Sequence, residues 1–399
     1  MAIQAAFTLS PNEIYNTLAN MIISQEVFAD NLGKHQTLVD KARVEGGLFG
    51  DKKLYYATDV LKSHDWLNDA EAANLLALDR PADPEVQSIT LDVFRQIRLT
   101  LDNYLSKRAW STEGAFASFN GVMLGWMRET KRVYEGTLYN AFIGTTETST
   151  GSQIQTVDLR SASAGQPLYG LTGLEKYRMK ASLIAQHLAD LLVQMGDYSR
   201  AFNDYQYLRS YAEESIQVIW NSKFLNEIRK VDLPTIFHKE GLVDKFEQDV
   251  LPARYFGIAI TASNISTYSD STPTTGKPID SDDGAYTPGV GNANGKVCSL
   301  IEADVTVGGT DYHVFPGDEL PAGATVGSGK QFGYNEAYIA TENVICKVLV
   351  KLPPIMSAFE VGTTFFNARS LTENHYLTWG HNTLEYFKNY PFITVKASE

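Results

Sequence analysis

The chain has little with which to do chemistry. It holds two cysteines, Cys298 and Cys346, and no CxxC, a pattern that fits two core thiols in a reducing compartment rather than a disulfide. No apolar run approaches the about 18 residues that a membrane helix needs. The opening MAIQAAFTLSPNE sets no basic segment ahead of an apolar stretch, so neither a membrane span nor a simple secretion signal is expected. Positive charge is scarce as well: 34 Lys and Arg stand against 47 Asp and Glu, a net charge of -13, with no long basic block. A protein that reads nucleic acid presents a basic stripe to the phosphates, so sequence-specific DNA binding is disfavoured. A surface that lies near DNA without sticking to it would be acidic or neutral.

Catalytic signatures are missing too. ATVGSGKQ, 324 to 331, comes nearest to a phosphate loop, but Ala324 stands where the first glycine belongs and Gln331 where Ser or Thr would hold magnesium. The seven histidines lack an HExxH, and Glu373, His375 and His381 fall on no obvious common face. Asp280, Asp282, Asp283 and Gly284 start like a calcium loop whose later ligands and closing Glu are absent. No GxSxG elbow occurs. The expectation is therefore no enzyme, no cofactor and no metal, although catalytic residues can meet in space from distant positions.

What is there reads as an α+β protein with a sizeable core: 44% hydrophobic and 20% charged residues over a length suited to two or three domains. SPNE, 10 to 13, starts an N-terminal amphipathic helix, and DAEAANLLAL, 69 to 78, a short one that breaks at Pro81 and Pro84. Residues 88 to 104 alternate. Ile89, Leu91, Val93, Ile97, Leu99 and Leu101 share a face broken by Arg95, which predicts over 89–101 a half-buried strand of roughly 43 Å at about 3.3 Å per residue. Strands in compact domains are mostly about half that, so this one looks like an arm leaving its own domain. A long helix is expected from Ser111 or Thr112 to about Ala141, with Phe116, Phe119, Met123, Trp126, Met127, Val133, Tyr134 and Leu138 as its apolar stripe. A second opens on a capping box, Thr172 to Glu175, carries an apolar stripe from Leu174 and Tyr177 through Ile184 and Leu188 to Met195, and stops at Gly196.

Farther on, 215 to 230 reads as a strand, an Asn221 cap and a helix facing in with Phe224, Leu225 and Ile228. Residues 262 to 295 turn rich in Ser, Thr, Asp, Gly and Pro, which suggests an exposed irregular insertion. VTVGGTDYHV, 305 to 314, is a hairpin about Gly308 and Gly309, and NVICKVLVKL, 343 to 352, re-enters a core. One stretch resists a monomer's logic. In RVEGGLFGDKKLYY, 43 to 56, three glycines surround Leu48 and Phe49 with charges on both sides. Turns are ordinarily polar, so an apolar tip suggests a cover from outside the chain.

This order of parts, with RVEGGLFGDKKLYYATDVL, DNYLSKRAW, GWMRETKRVYEGTLYNAFIGTTET, LRSYAEESIQVIWNSKFLNEI and FEVGTTFFNARSLTENHYLTWG, resembles the major capsid proteins of tailed bacteriophages with the HK97-type fold, in the versions of short-tailed and crAss-like phages. The likeness covers most of the chain outside 262 to 342. It implies an N-terminal arm (1–35), an extended β-hairpin loop, or E-loop, laid over a neighbouring subunit (36–104), and a peripheral domain with a spine helix (105–164). It further implies an axial domain (165–261), a β-rich insertion domain (262–342) and a return to the peripheral and axial core (343–399). The implied role is self-assembly into hexamers and pentamers of an icosahedral virion shell that encloses double-stranded DNA without reading it. Assembly would take place in the host bacterial cytoplasm, with a portal protein and a separate scaffolding protein as partners. An encapsulin-like cargo shell and a surface binding protein are the alternatives. The expected intersubunit contacts at the loop tip are Val44, Leu48, Phe49, Lys52 and Lys53.

Overall fold

The computed structural model describes residues 37–46, 51–63, 65, 80–102, 113–148, 150–229, 247–271, 277–290, 295–341, 343–357 and 360–398. The helices expected at 10–33 and 69–78, and Leu48 and Phe49, lie outside the described residues. In chain order the elements begin α1 (Thr37–Ala42), β1 (Arg43–Glu45), β2 (Lys52–Ala57), β3 (Glu85–Asp102), α2 (Glu113–Thr145), β4 (Ile154–Asp158) and α3 (Gly173–Gly196). There follow β5 (Gln217–Asn221), α4 (Ser222–Arg229), β6 (Glu247–Leu251), β7 (Gly257–Ala259), β8 (Ser269–Asp270), β9 (Ile279–Asp280) and β10 (Val297–Ser299). The last are β11 (Ala303–Val307), β12 (Thr310–Val314), β13 (Ala337–Ala340), β14 (Val344–Leu349), β15 (Ile355–Ser357), β16 (Glu360–Asn367), β17 (Thr372–Asn382) and β18 (Phe392–Ser398).

The chain divides into two compact units. The first comprises Met1–Lys52, Thr90–Asn140 and Pro354–Leu384; the second holds Lys53–Ile89, Ala141–Pro353 and Glu385–Glu399. The alternation read from the sequence is realised in β3, where Ile89, Leu91 and Leu101 are buried and the even positions from Asp92 to Thr100 are mostly exposed. Within the first unit Leu91–Asp102 pair antiparallel with β17, which pairs in turn with β16. Arg95, the break in its apolar face, lays its guanidinium over the Tyr134 ring at 4.7 Å, which lets a charge occupy an inward position.

In the second unit the sheet order is β4-β18-β14-β5-β6. Its side chains Val157, Val218, Trp220, Val348, Ile393 and Val395 share one core with Ala181, Ile184, Leu188, Leu191 and Met195 of α3. The Asn221 cap is present: its Oδ1 accepts the Lys223 N–H at 3.0 Å while its amide donates to the Val344 carbonyl at 2.9 Å, so one side chain starts α4 and ties β5 to β14. The capping box at Thr172 is not made. Thr172 sits at the N-cap in an extended conformation with no side-chain cap bond, and Gly173 behind it takes φ +57, which bends the chain out of ordinary helix entry. α3 ends at Gly196 as expected, without a left-handed turn there: the capping residue Asp197 is extended and its N–H returns to the Val193 carbonyl.

Residues 262 to 295 are less irregular than their composition suggests. A separate hydrophobic cluster gathers Ile260, Ile279, Tyr286, Val297, Val305, Val314, Leu320, Phe332 and Ile339, and β10-β13-β7 form a small sheet. The β11–β12 hairpin turns on Gly308 and Gly309 at φ +58 and +81, the two left-handed residues that a tight hairpin of this twist requires.

Lys347, in the middle strand of the five-stranded sheet, is fully buried. Its Nζ donates to the Thr146 carbonyl and to Thr394 Oγ1, both at 2.8 Å, and burial pulls its pKa from 10.5 down to about 7. Because the folded value is lowered, the unfolded chain binds the extra proton above pH 7, so this group makes stability rise with pH from there. Over the full span from 7 to 10.5 the effect is on the order of 5 kcal/mol. Urea unfolding of the second unit is therefore expected to shift to higher midpoint between pH 7 and pH 9, and Lys347→Met should raise the midpoint at pH 7 and flatten that rise. An unchanged pH slope in Lys347→Met would contradict the assignment.

Candidate assembly surfaces

The residues expected at the loop tip are not gathered into one site by the described part of the structure. Val44 lies in β1, half-buried, and pairs in parallel register with Met356 of β15. Lys52 opens β2 and is exposed, and Lys53 beside it is half-buried. Beyond them β2 alternates. Leu54 and Tyr56 are 49% and 65% exposed, whereas Tyr55 turns in to meet the Phe387 ring edge-on at 4.9 Å.

The segment after β2 is pinned by ionic contacts. Asp59 accepts Arg200 Nη1 at 2.6 Å and the Leu208 N–H at 3.0 Å, while Arg209 Nη2 donates to the Thr58 carbonyl at 2.6 Å. The Arg200 hydrogen bond, aided by that backbone N–H, holds the Asp59 carboxyl down at about 2. The pin thus carries an apolar pair, Val60 and Leu61, the latter 77% exposed.

In the first unit a buried charge cluster fixes α2. Glu135, whose side chain is 3% exposed, takes Arg43 Nη2 at 2.9 Å and lies 3.8 Å from Lys131 Nζ; Lys131 bonds Glu360 of β16 at 2.7 Å. One helical turn thus holds β1 on one side and the start of β16 on the other. Next to it, Tyr134 and His381 meet at 2.9 Å, and His381 Nδ1 lies 2.9 Å from the Asn382 carbonyl. A carbonyl only accepts, so Nδ1 carries the proton and Nε2 accepts from the Tyr134 hydroxyl. Burial lowers the His381 pKa, which keeps this tautomer neutral. Asn382 completes the corner, accepting the Met356 N–H and donating to the Pro354 carbonyl.

Against this anchored base, β16 is bare. It is the edge of its sheet, its residues 360 to 366 are all exposed, and Phe365 and Phe366 are 61% and 52% exposed. In FEVGTTFFNARS the sequence signal for this surface is the pair of adjacent phenylalanines, which in a strand must point to opposite faces. A second exposed group opens α3, where Leu174, Tyr177 and Met179 stand out with Tyr169. Leu174 and Tyr177 were expected in the core stripe; the helix buries residues only from Ala181 onward.

The candidate chemical motifs take ordinary places. In ATVGSGKQ, Ala324 and Val326 are buried, and the Gln331 side chain closes the turn by accepting the Thr325 N–H and donating to the Thr306 carbonyl. Contrary to the sequence reading, Glu373, His375 and His381 do share a face of β17, since residues two apart along a strand do. His375 and His381 stand six positions apart, about 20 Å, too far to share an ion. The aspartate turn is held by its own backbone: Asp280 Oδ1 accepts the Asp282 N–H and Asp283 Oδ1 the Ala285 N–H, both at 2.8 Å. Both cysteines are free and buried, and burial raises the Cys298 thiol to about 11 and Cys346 higher still. Among the described residues no group of His, Cys, Asp and Glu could hold a metal ion, and no helix is long and apolar enough to cross a membrane.

No protein-family model matches the sequence, and no curated protein is significantly similar to it. Comparison of structures is more informative. The chain is similar to one in the capsid structure of Staphylococcus phage Andhra, with a TM-score of 0.52 and 13% identity, over 92% of this chain and 84% of that one. It is similar to the same degree, TM-score 0.52 and 10% identity, to a chain in the structure of the head fiber and inner core protein gp22 of native bacteriophage P68, over 90% of this chain and 83% of that one. The mixed α+β fold is thus shared with chains of these two phage structures at identities where only the fold persists.

Removing one partner from a buried ion pair leaves a charge uncompensated and costs about 3–5 kcal/mol. Glu135→Ala should therefore lower the unfolding midpoint of the first unit by that order. Arg132→Ala, on the exposed side of the same turn, should change it by less than about 1 kcal/mol. Chemical denaturation of the two variants compares them directly, and equal effects would contradict the role given to the cluster.

Proposed function

We propose that this chain is a major capsid protein of a tailed phage, which self-assembles into the hexamers and pentamers of an icosahedral shell around double-stranded DNA. The observation that carries the proposal is the shared fold, matched over about nine-tenths of this chain, with the Andhra capsid structure. The exposed apolar residues agree with it: among the described residues, large side chains on β2, β16 and the start of α3 are exposed, which is expected of surfaces that close against further copies. The net charge of -13 suits a wall past which DNA must move.

In this proposal residues 1–35 form an N-terminal arm, and 36–104 the extended loop of the HK97-like arrangement, laid over a neighbour. Residues 105–164 form the peripheral domain with α2 as spine helix, and 165–261 the axial domain. Residues 262–342 form an insertion domain, supported by the separate hydrophobic cluster about Tyr286 and Phe332, and 343–399 return to the core. The role is structural rather than catalytic, the place the virion, assembled in the bacterial cytoplasm, and the partners a separate scaffolding protein and a portal protein. Val44, Leu48, Phe49, Lys52 and Lys53 are the proposed contacts of the loop tip.

Burying Leu48 and Phe49 on a neighbour would contribute about 1.5–3 kcal/mol each. Electron microscopy of the expressed chain, alone and with a scaffolding partner, should show closed particles. The double variant Leu48→Asp, Phe49→Asp should leave a folded chain by circular dichroism and sharply reduce the particle yield. Normal shells from the double variant would remove the tip from the account, and a wild-type chain that stays monomeric under every condition would overturn the function itself.

A further inference from the structure

Edge strands are ordinarily guarded by lysine, proline, a bulge or a covering segment, because a row of unpaired backbone groups recruits other strands. β16, EVGTTFFN, has none of the first three. Its register with β17 runs without interruption from Glu360↔Trp379 to Asn367↔Thr372, and its single charge, Glu360, is taken by Lys131. Residues 361 to 367 carry no charge at all, so a second β16 brought alongside meets no like-charge repulsion.

The second observation is a hole beside this edge. Gly362 and Thr364 lie opposite Leu377 and His375, on the face that turns toward α2. Being small, they leave a half-open cavity of about 260 Å³ lined by Met127 and Arg128 of α2 and by residues 362–364 and 375–377 of the two strands; its exposed lining is mainly apolar, with the Arg128 side chain available to lie over an aromatic ring seated there. Apart from Gly362 itself and its two chain neighbours, no atom lies within 4 Å of the point where a side chain at Gly362 would begin. A dry cavity of about 150 Å³ already admits a benzene ring. Phe366, on that same face of β16, is half exposed and carries such a ring.

We propose that β16 pairs antiparallel with β16 of a second copy across a two-fold axis at Thr364, continuing the sheet, with each Phe366 seated in the other copy's cavity over Gly362. The two-fold is perpendicular to the sheet, so it keeps each residue on its face and sets 362 opposite 366, 363 opposite 365, and 364 opposite itself. Phe365 then packs on Thr363 of the other copy on the outer face, an aromatic against a β-branched residue. The sheet contains this solution once already: in β3 and β17, Phe94 lies directly opposite Gly380, its ring so close that a Cβ on the glycine would come within 2.9 Å of it. An aromatic laid across a strand glycine in this way restores the packing the glycine lacks. The inference rests on the shell reading only in taking the partner to be another copy of this chain.

The test is disulfide trapping in the full-length chain under the conditions that give particles. Directly opposed antiparallel residues have Cα atoms about 4.5–5.5 Å apart, within disulfide reach, and the two native cysteines are buried. Thr364→Cys should convert most of the protein to a covalent dimer on a non-reducing gel, and adding Phe366→Asp should cut that yield severalfold. Asn367→Cys, about 20 Å from its mate in this register, should stay uncrosslinked. Gly362→Leu, which fills the cavity from its own strand, should weaken association without changing the circular dichroism spectrum. Particles of Thr364→Cys with no dimer, equal crosslinking of Asn367→Cys, or full association of Gly362→Leu would each overturn the pairing while leaving the shell reading intact. Failure of the wild-type chain to form particles counts against the shell reading; a Thr364→Cys dimer formed even then would support the pairing alone.

Discussion

A carboxylate almost wholly removed from water has to be met by cations, and in the first unit the position of three elements follows from how Glu135 is met. Arg43 reaches it from β1, and Lys131, one turn back on α2, reaches from there to Glu360. The helix cannot slide by a turn, nor β16 by two residues, without stranding a buried charge, at a cost of several kcal/mol. Tyr134, between Lys131 and Glu135 on α2, adds a neutral contact to His381, and Asn382 next to it binds the backbone about β15. The register of β17 against β3 and β16 is thereby fixed at its end. β16 is exposed, yet it is held in place by groups that are not.

That arrangement separates two kinds of surface. The second unit is filled from within by two clusters, one about Ile184 and Trp220 and one about Tyr286 and Phe332. The outer sides of β2, β16 and the first turns of α3 keep large apolar groups in water. Each such group gains only a modest free energy when covered, too little to hold two copies together by itself. In the proposed shell, contacts of that size repeated around a closed assembly would add up to an avidity that no single pair supplies.

How much of this was legible in the sequence depended on how far apart the partners stand. The alternation of β3 and the Asn221 cap, each a pattern confined to fewer than about twenty neighbouring residues, were readable. So was the twin-glycine turn of β11–β12. The cap at Thr172 was misread because its rule supposes an ordinary helix entry, and Gly173 at φ +57 denies it one. Arg43 and Glu135 are 92 positions apart, and Lys131 and Glu360 are 229 apart; nothing local marks any of them as buried. Lys347 in NVICKVLVKL passes for an outward residue of an alternating strand until the sheet closes over both faces. Of the proposed contact surface, the apolar glycine turn was visible from composition alone, whereas the paired phenylalanines of β16 take on meaning only once the sheet order places that strand at an edge among the described residues.

The central claim is that the apolar edges left open in the single chain are closed by other copies of it. Hydrogen–deuterium exchange of the same protein before and after particle formation measures this residue by residue. The account predicts that every second amide between Gly362 and Phe366, the ones that point away from β17, exchanges rapidly in the free chain and slows by at least about a hundredfold in the particle, while the buried strand β14 is slow in both. Particles in which β16 still exchanges at its free-chain rate would contradict it.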